Sequence, residues 1–346
     1  METTQDLHIK SIRKLITPAE LKQQIPMTEA ANDTVVTARK TVKKIMAGGD
    51  DRFIVITGPC SIHDPEIAYD YARRLKPLID KYADKLVILM RVYFEKPRTT
   101  VGWRGLINDP GLDGTRDVEK GIALGREILM KINEMGVAVA SEVLDPVTPQ
   151  YMADLISWSA IGARTTESQT HREMTSGLSM PVGFKNSTEG NLQVAIDAMI
   201  SAMHEHSFLG IDQNGNTSIV ETMGNKWSHI VLRGGRSGVN FHAENIKETE
   251  IAMEKAGVKP LIMVDCSHAN SNKRFDLQPE VYRDVLAQRA SGTRSIIGVM
   301  LESNINEGKQ SIPDDLSKLQ YGVSVTDGCI SWEATEELLQ ESYDQL

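Results

Sequence analysis

The chain of 346 residues carries 38 lysines and arginines against 47 aspartates and glutamates, a formal charge of -9 that argues against a nucleic-acid partner. Its composition, 40% hydrophobic and 25% charged, is that of an ordinary globular protein, and no apolar run approaches the roughly 18 residues that a membrane span requires. Cys60, Cys266 and Cys329 are too scattered for a disulfide framework, and the opening Met-Glu-Thr-Thr-Gln-Asp-Leu-His has no basic or apolar signal region, so a reducing cytoplasm is the expected compartment.

Residues 1–50 read as an extension serving assembly or regulation, and residues 51–346 as one catalytic unit. Thr17-Pro18-Ala19-Glu20 forms a capping box with proline at the first helical position, and a second helix runs from Glu29 to Ala47 until Gly48-Gly49 stops it. From Phe53 onward, apolar runs of strand length alternate with amphipathic stretches of helix length, the pattern of repeated βα units. Eight strands centre on Ile54–Thr57, Val87–Val92, Val137–Ser141, Ser159–Ala163, Val182–Lys185, His229–Leu232, Leu261–Val264 and Ile296–Met300. Asp64-Pro65 and Thr148-Pro149 open helices, while Gly136, Gly177, Gly257 and Gly292 fall just past helix ends. Eight such units in succession favour a closed (β/α)8 TIM barrel over an open doubly wound sheet. One segment breaks the rhythm: Phe208–Gln213 and Asn216–Thr222 flank Asn214-Gly215, which predicts a β-hairpin inserted at 208–222, for regulation, assembly or decoration.

In a barrel, the strand ends converge on one face, where the chemistry is done. Those ends read Cys60, Arg91 with Lys96 and Arg98, Glu142, Arg164, Lys185, Arg233, His268 and Glu302. Any one arginine or lysine is more often a solvated surface residue. Six of them on one face, Arg164 and Lys185 directly after apolar runs, imply a substrate with several negative charges. Cys60, His268 and Glu302, joined by Asp327 of the final loop, have metal-ligand character. A thiolate, an imidazole and two carboxylates suit one divalent ion such as Mn2+, Fe2+, Co2+ or Zn2+. Taken singly, Cys60 is more often an inert small core residue, and Asp327 before Gly328 a turn former. His63 and His171 have no visible nucleophile partner and read as structural. Gly234-Gly235-Arg236-Ser237-Gly238 matches no phosphate-binding fingerprint and reads as a flexible loop serving Arg233.

Five motifs carry a resemblance: Gly58-Pro59-Cys60-Ser61-Ile62-His63-Asp64, Arg91 to Thr100, Gly162-Ala163-Arg164-Thr165-Thr166-Glu167-Ser168, Pro181-Val182-Gly183-Phe184-Lys185-Asn186 and Val264-Asp265-Cys266-Ser267-His268. Over nearly its whole length the chain resembles the class I 3-deoxy-7-phosphoheptulonate (DAHP) synthases of the microbial, feedback-regulated type. The resemblance implies condensation of phosphoenolpyruvate with erythrose 4-phosphate, the first step of the shikimate pathway, in a homodimer or homotetramer. It implies metal ligation by Cys60, His268, Glu302 and Asp327. It implies phosphoenolpyruvate binding by Arg91, Lys96, Glu142, Ala163, Arg164, Lys185 and Arg233, with Lys96-Pro97-Arg98-Thr99 also serving erythrose 4-phosphate. Arg91 belongs to the catalytic clamp, and Lys96 and His268 are the expected proton handlers. An aromatic effector site would fall on Pro149, Gln150, Met174, Leu178, Ser179, Phe208, Gly210 and Val220. Glycine at 210 favours tyrosine as effector, with phenylalanine next. A related phosphoenolpyruvate-dependent synthase acting on arabinose 5-phosphate, and a non-catalytic aromatic-amino-acid sensor, stand as alternatives.

Overall fold

The computed structural model describes residues 2–98 and 100–346. Among these, ten strands follow in chain order: β1 Phe53–Gly58, β2 Leu86–Arg91, β3 Val139–Glu142, β4 Trp158–Ile161, β5 Val182–Lys185, β6 His206–Ile211, β7 Thr217–Thr222, β8 Ser228–Leu232, β9 Ile262–Asp265 and β10 Ile296–Glu302. The helices are α1 Pro18–Gln24, α2 Glu29–Ala47, α3 Pro65–Lys81, α4 Val118–Glu134, α5 Pro149–Met152, α6 Gln169–Gly177, α7 Gln193–Ala202, α8 Ala243–Lys255, α9 Gln278–Ala290 and α10 Trp332–Gln345. All strands but β6 and β7 pair in parallel and close into a barrel, with β1 bonded to both β2 and β10. The expected (β/α)8 barrel is present. No helix among the described residues is long and apolar enough to cross a membrane.

Why the strands read as continuous apolar runs follows from the two-residue period of a strand whose faces are both buried. Ile54 and Ile56, Leu89, Ala140, Trp158 and Ala160, Val231, Met263 and Met300 fill the inside of the barrel. Val55, Ile88, Met90, Val139, Val182, Phe184, Ile230, Val264 and Leu301 lie outside, under the helices. The extension belongs to this packing. Val42, Ile45 and Met46 of α2 join the interior cluster, so the helix stops the barrel end opposite the strand C-termini. Arg39 of α2 donates to the carbonyls of Ala153 and Ile156 at 2.7 and 2.6 Å, and Arg126 donates to the Ile25 carbonyl at 2.9 Å. The capping box forms, with Glu20 N donating to Thr17 Oγ1 and Thr17 N to Glu20 Oε2.

Three local expectations are corrected. The hairpin exists, but its first strand is shifted two residues earlier and its second is one residue shorter, so Ile211 faces Thr217 across a five-residue loop from Asp212 to Asn216. The Asp212 carboxylate accepts from the backbone N–H groups of Asn214 and Asn216, which favours the wider loop over a two-residue Asn-Gly turn. Thr148-Pro149 opens only the single turn of α5, since Thr148 makes no side-chain cap. Gly177 ends α6 from within, and a side chain there would meet Thr222 Cγ2 on the hairpin at 2.9 Å.

Candidate active site

The inward register of the barrel explains the site. Continuing the interior positions toward the strand C-termini takes Leu89 to Arg91, Ala140 to Glu142, Gly183 to Lys185, Val231 to Arg233, Met263 to Asp265 and Met300 to Glu302. These side chains stand above the last apolar layer, where a strand-end rim meets solvent. All but the fully buried Asp265 border one cleft of ≈ 390 Å³, a size suited to a small ligand. Lys96, Pro97, Arg98, Glu142, Ala163, Arg164, Lys185, Arg233, His268, Glu302 and Asp327 line it with Arg91. Thr99 lies outside the described residues.

Arg91 is the best-held cation. It is 1% exposed, donates from Nη2 to Glu302 Oε1 at 2.9 Å and from Nε to the Pro59 carbonyl at 3.2 Å, and lies over the Tyr93 ring at 3.5 Å. A buried pair of this kind is strongly destabilised when one partner is removed, because the other charge is left without compensation. Gly58 (φ 152°) is what lets β1 come so near: a Cβ there would meet the Arg91 carbonyl at 2.7 Å. Arg233 is fixed at its backbone, its N–H donating to Asn186 Oδ1 at 2.9 Å. Burial pulls its guanidinium down, Asp265 pulls it up, and neighbouring Arg164 adds to the downward pull. Two cations crowded like this favour an anion between them.

Three of the four metal-type residues come together, with the fourth nearby. Ligand atoms of Cys60, Glu302 and Asp327 lie within 4.8 Å of one another, and His268 Nε2 is 3.9 Å from Glu302 Oε1. Ser61 and Thr326 join their hydroxyls at 2.7 Å and so bring the Asp327 loop to the Cys60 loop. Gln278 grips the backbone of Glu302 at both its N–H and its carbonyl. Burial and the Glu302 carboxylate push the Cys60 thiol up, against Lys96. Three acidic donors forced together repel one another, and a divalent cation removes that repulsion while drawing off the thiol proton. Donor set and spacing therefore fit a borderline divalent ion. Lys96 Nζ donates to Cys60 Sγ and to its carbonyl, both at 3.2 Å. Burial works against that ammonium, but Cys60 and Glu302 hold it above its ordinary value.

Residues 24–340 match the model of the DAHP synthetase I family. The chain belongs to that family. It is 53% identical over 341 residues to the Tyr-sensitive phospho-2-dehydro-3-deoxyheptonate aldolase of Escherichia coli (strain K12), covering 99% of this chain and 96% of that one. It is 52% identical to the Phe-sensitive enzyme of the same organism, covering 97% and 95%. The structure of the Francisella tularensis SCHU S4 aldolase superimposes with a TM-score of 0.95 at 46% identity, covering 97% of this chain and 98% of that chain.

Within this DAHP synthetase I fold, Phe208, Gly210 and Val220 of the expected effector set lie on the hairpin and Gln150 bonds its tip. Phe208 and Val220 are cross-strand partners, Gly210 is two residues along the same face, and Ser176 of α6 bonds Thr222 of β7 at 2.6 Å. Gln150, beside Pro149, accepts from Gln213 at the hairpin tip at 2.9 Å, and the Gln213 carbonyl accepts from Ala19 N of α1. Met174 is buried and Leu178 half-buried, while exposed Ser179 turns its carbonyl to Lys43 of α2 at 3.2 Å.

Other sequence readings divide. His171 is structural, bonded to Ser168 and to the Leu144 carbonyl. The glycine loop after Arg233 is no flexible tether: Gly235 and Gly238 bond each other, and Arg236 N and Ser237 N bond the carbonyls of Thr188 and Glu189. A Cβ on Gly235 would meet Gly190 at 2.3 Å, so close backbone contact is the reason for glycine there. Asn186, Gln278, Asp265, Lys273 and Lys309 belong to the site or its support and were not singled out from the sequence. Strand-end parity finds Asp265, since it ends β9 in the inward register; the lysines sit in irregular loops where no period applies.

Proposed function

We propose that the chain condenses phosphoenolpyruvate with erythrose 4-phosphate to give 3-deoxy-D-arabino-heptulosonate 7-phosphate and inorganic phosphate, under feedback control by tyrosine. One observation carries the reading: a cationic rim and a cluster of thiol, imidazole and carboxylate groups share a single barrel mouth. Neither half alone would serve. The anions repel each other and need the cations to approach, and the aldehyde oxygen needs an acid to draw electrons from its carbon.

Arg164, Lys185, Arg233 and Glu142, with the backbone at Ala163, hold phosphoenolpyruvate by its phosphate and carboxylate. Lys96, Pro97, Arg98 and Thr99 hold erythrose 4-phosphate. Cys60, His268, Glu302 and Asp327 would hold the metal. When bound, a divalent ion supplies Lewis-acid polarisation of a carbonyl oxygen. Carbon 3 of phosphoenolpyruvate attacks the aldehyde carbon, forming the carbon–carbon bond, and the former carbonyl electrons pass to oxygen, which takes a proton from Lys96. Water adds at carbon 2 and gives up one proton; the bond between carbon 2 and the phosphate oxygen then breaks as the added hydroxyl loses its remaining proton to become the ketone, and inorganic phosphate leaves carrying a proton. Arg91 holds Glu302 in place throughout. No clamp or ligand position is lost, which disfavours an idle sensor.

The tyrosine assignment rests on glycine at 210, where a side chain would meet Val220 Cγ2 at 2.8 Å and so could enter only by displacing it. Buried, unpaired cysteines suit a reducing cytoplasm. Self-association as a homodimer or homotetramer is supported by Leu209 and Ile219, opposite each other on the outer hairpin face and 78% and 73% exposed. The test is consumption of phosphoenolpyruvate with erythrose 4-phosphate against arabinose 5-phosphate. Turnover of the four-carbon sugar is expected, and preference for the five-carbon sugar would replace the assignment with the related synthase.

A further inference from the structure

We propose that Asp265 is the positioning residue of the metal centre: it sets the ring tautomer and orientation of His268, and Lys185 braces it from the side of the substrate clamp. The inference rests on the metal site proposed above and adds a residue to it.

Asp265 ends β9 with its side chain in the barrel interior, completely shielded from solvent. An isolated carboxylate in such a place is costly unless its environment is built for it. Its Oδ2 lies 3.0 Å from His268 Nδ1 and 3.0 Å from Lys185 Nζ, so a single oxygen faces one residue from each half of the site. Its Oδ1 accepts from Ser267 Oγ at 2.6 Å and from Ser267 N at 3.0 Å. Its backbone carbonyl accepts from Asn270 Nδ2 at 3.0 Å. Oδ1 is therefore fixed by two hydrogen bonds, while Oδ2 is buried without one and faces His268 and Lys185 at contact distance.

What it holds is strained. His268 has φ 58°, left-handed backbone that a residue with a side chain rarely adopts, locked by Lys273 N donating to its carbonyl at 2.7 Å. In that conformation the ring turns back over Asp265, and Nε2 looks toward Glu302 at 3.9 Å. Ser267 Oγ gives its proton to Asp265 Oδ1, so toward Nδ1 it can only accept; with the carboxylate 3.0 Å away, this keeps the ring proton on Nδ1 and leaves the Nε2 lone pair free to ligate. Ser267 Oγ, 2.7 Å from the same Nδ1, touches both partners and limits rotation of each. Lys185 Nζ also lies 5.9 Å above the Tyr93 ring that carries Arg91, so the brace is continuous with the cationic rim.

The experiment uses the full chain stripped of metal with a chelator, Mn2+ alone as probe, and ¹⁵N-histidine labelling with His268→Gln to assign the ring signals. Wild type is expected to carry its His268 proton on Nδ1. Asp265→Asn, whose amide can donate to Nδ1, is expected to move the proton to Nε2 and to weaken Mn2+ binding by about 10–100-fold in titration calorimetry. Ser267→Ala introduces no uncompensated charge and gives a second reading if Asp265→Asn does not fold; it is expected to weaken Mn2+ binding about threefold or more. Unchanged Mn2+ affinity in the folded variants would overturn the proposal. So would weaker binding with the proton still on Nδ1, because loss of charge alone would then explain it. Wild-type turnover with erythrose 4-phosphate, run alongside, separates the two failures: its absence defeats the functional reading, whereas unaltered Mn2+ isotherms beside normal turnover defeat only the role of Asp265.

Discussion

Cys60 is the residue whose two readings the fold separates most clearly. A fully buried thiol in an apolar shell would be inert, yet this one has Lys96 Nζ at 3.2 Å and a carboxylate oxygen of Asp327 at 3.9 Å. Cys60→Ala removes a small side chain above the last packed layer, so melting should shift little while metal-dependent turnover disappears. Activity retained in that variant would take Cys60 out of the centre. Glu95 gives a second prediction at this scale. It is buried under the site loop, its oxygens accepting from Asp145 N at 3.3 and 3.4 Å, and burial first, then the Asp145 charge, push its carboxyl up to about 8. An acid whose pKa rises on folding binds more protons in the native state. Its contribution to stability is complete below the ordinary value of 4.5 and is lost as pH climbs through about 8. Glu95→Gln should therefore flatten the fall in melting temperature between those limits, as scanning calorimetry would read; an equally steep fall in the variant would contradict this. Arg91, Arg164 and Lys185 could be picked out because each directly follows an apolar run, whereas Asp327, in the final loop, is marked by no such pattern. Asn186 and Gln278 could not be, because their partners lie far away in sequence: Gln278 holds Glu302, and Asn186 holds Arg233.

Among the elements, the inserted hairpin is the one the barrel does not need. Its inner face, with Phe208, Gly210 and Val220, is half-buried against α6, and its tip is tied to α1 and α5 through Gln213. Those ties connect the hairpin to the extension, so an effector bound there would act on elements that the catalytic strands do not include. Gly210→Ser must displace Val220, whose Cγ2 stands 2.8 Å from the new Cβ, and should raise the tyrosine concentration needed for half-inhibition without changing the uninhibited rate. An unchanged inhibition curve would discard tyrosine as the effector. The N-terminal helices were readable residue by residue from the capping box and Gly48-Gly49, since those signals are local. The hairpin loop was misread for the opposite reason. Asn214-Gly215 signals a tight turn, but the side chain of Asp212, two residues earlier, captures the backbone and widens it.

For the molecule as a whole, closure of the sheet turns six strand ends into one site. Strand count and order were legible because βα repetition leaves few topologies, and right-handed crossovers leave one hand. The docking of the extension was not, since Arg39 and Arg126 bind backbone carbonyls that no pattern in sequence marks. The central claim is that cations and metal ligands act together on two phosphorylated substrates at this mouth. Its most direct measurement is phosphate release by chelator-stripped protein supplied with phosphoenolpyruvate and erythrose 4-phosphate, before and after addition of Mn2+. No release before addition and full recovery after it is the expected result; release undiminished in the stripped protein would contradict the account.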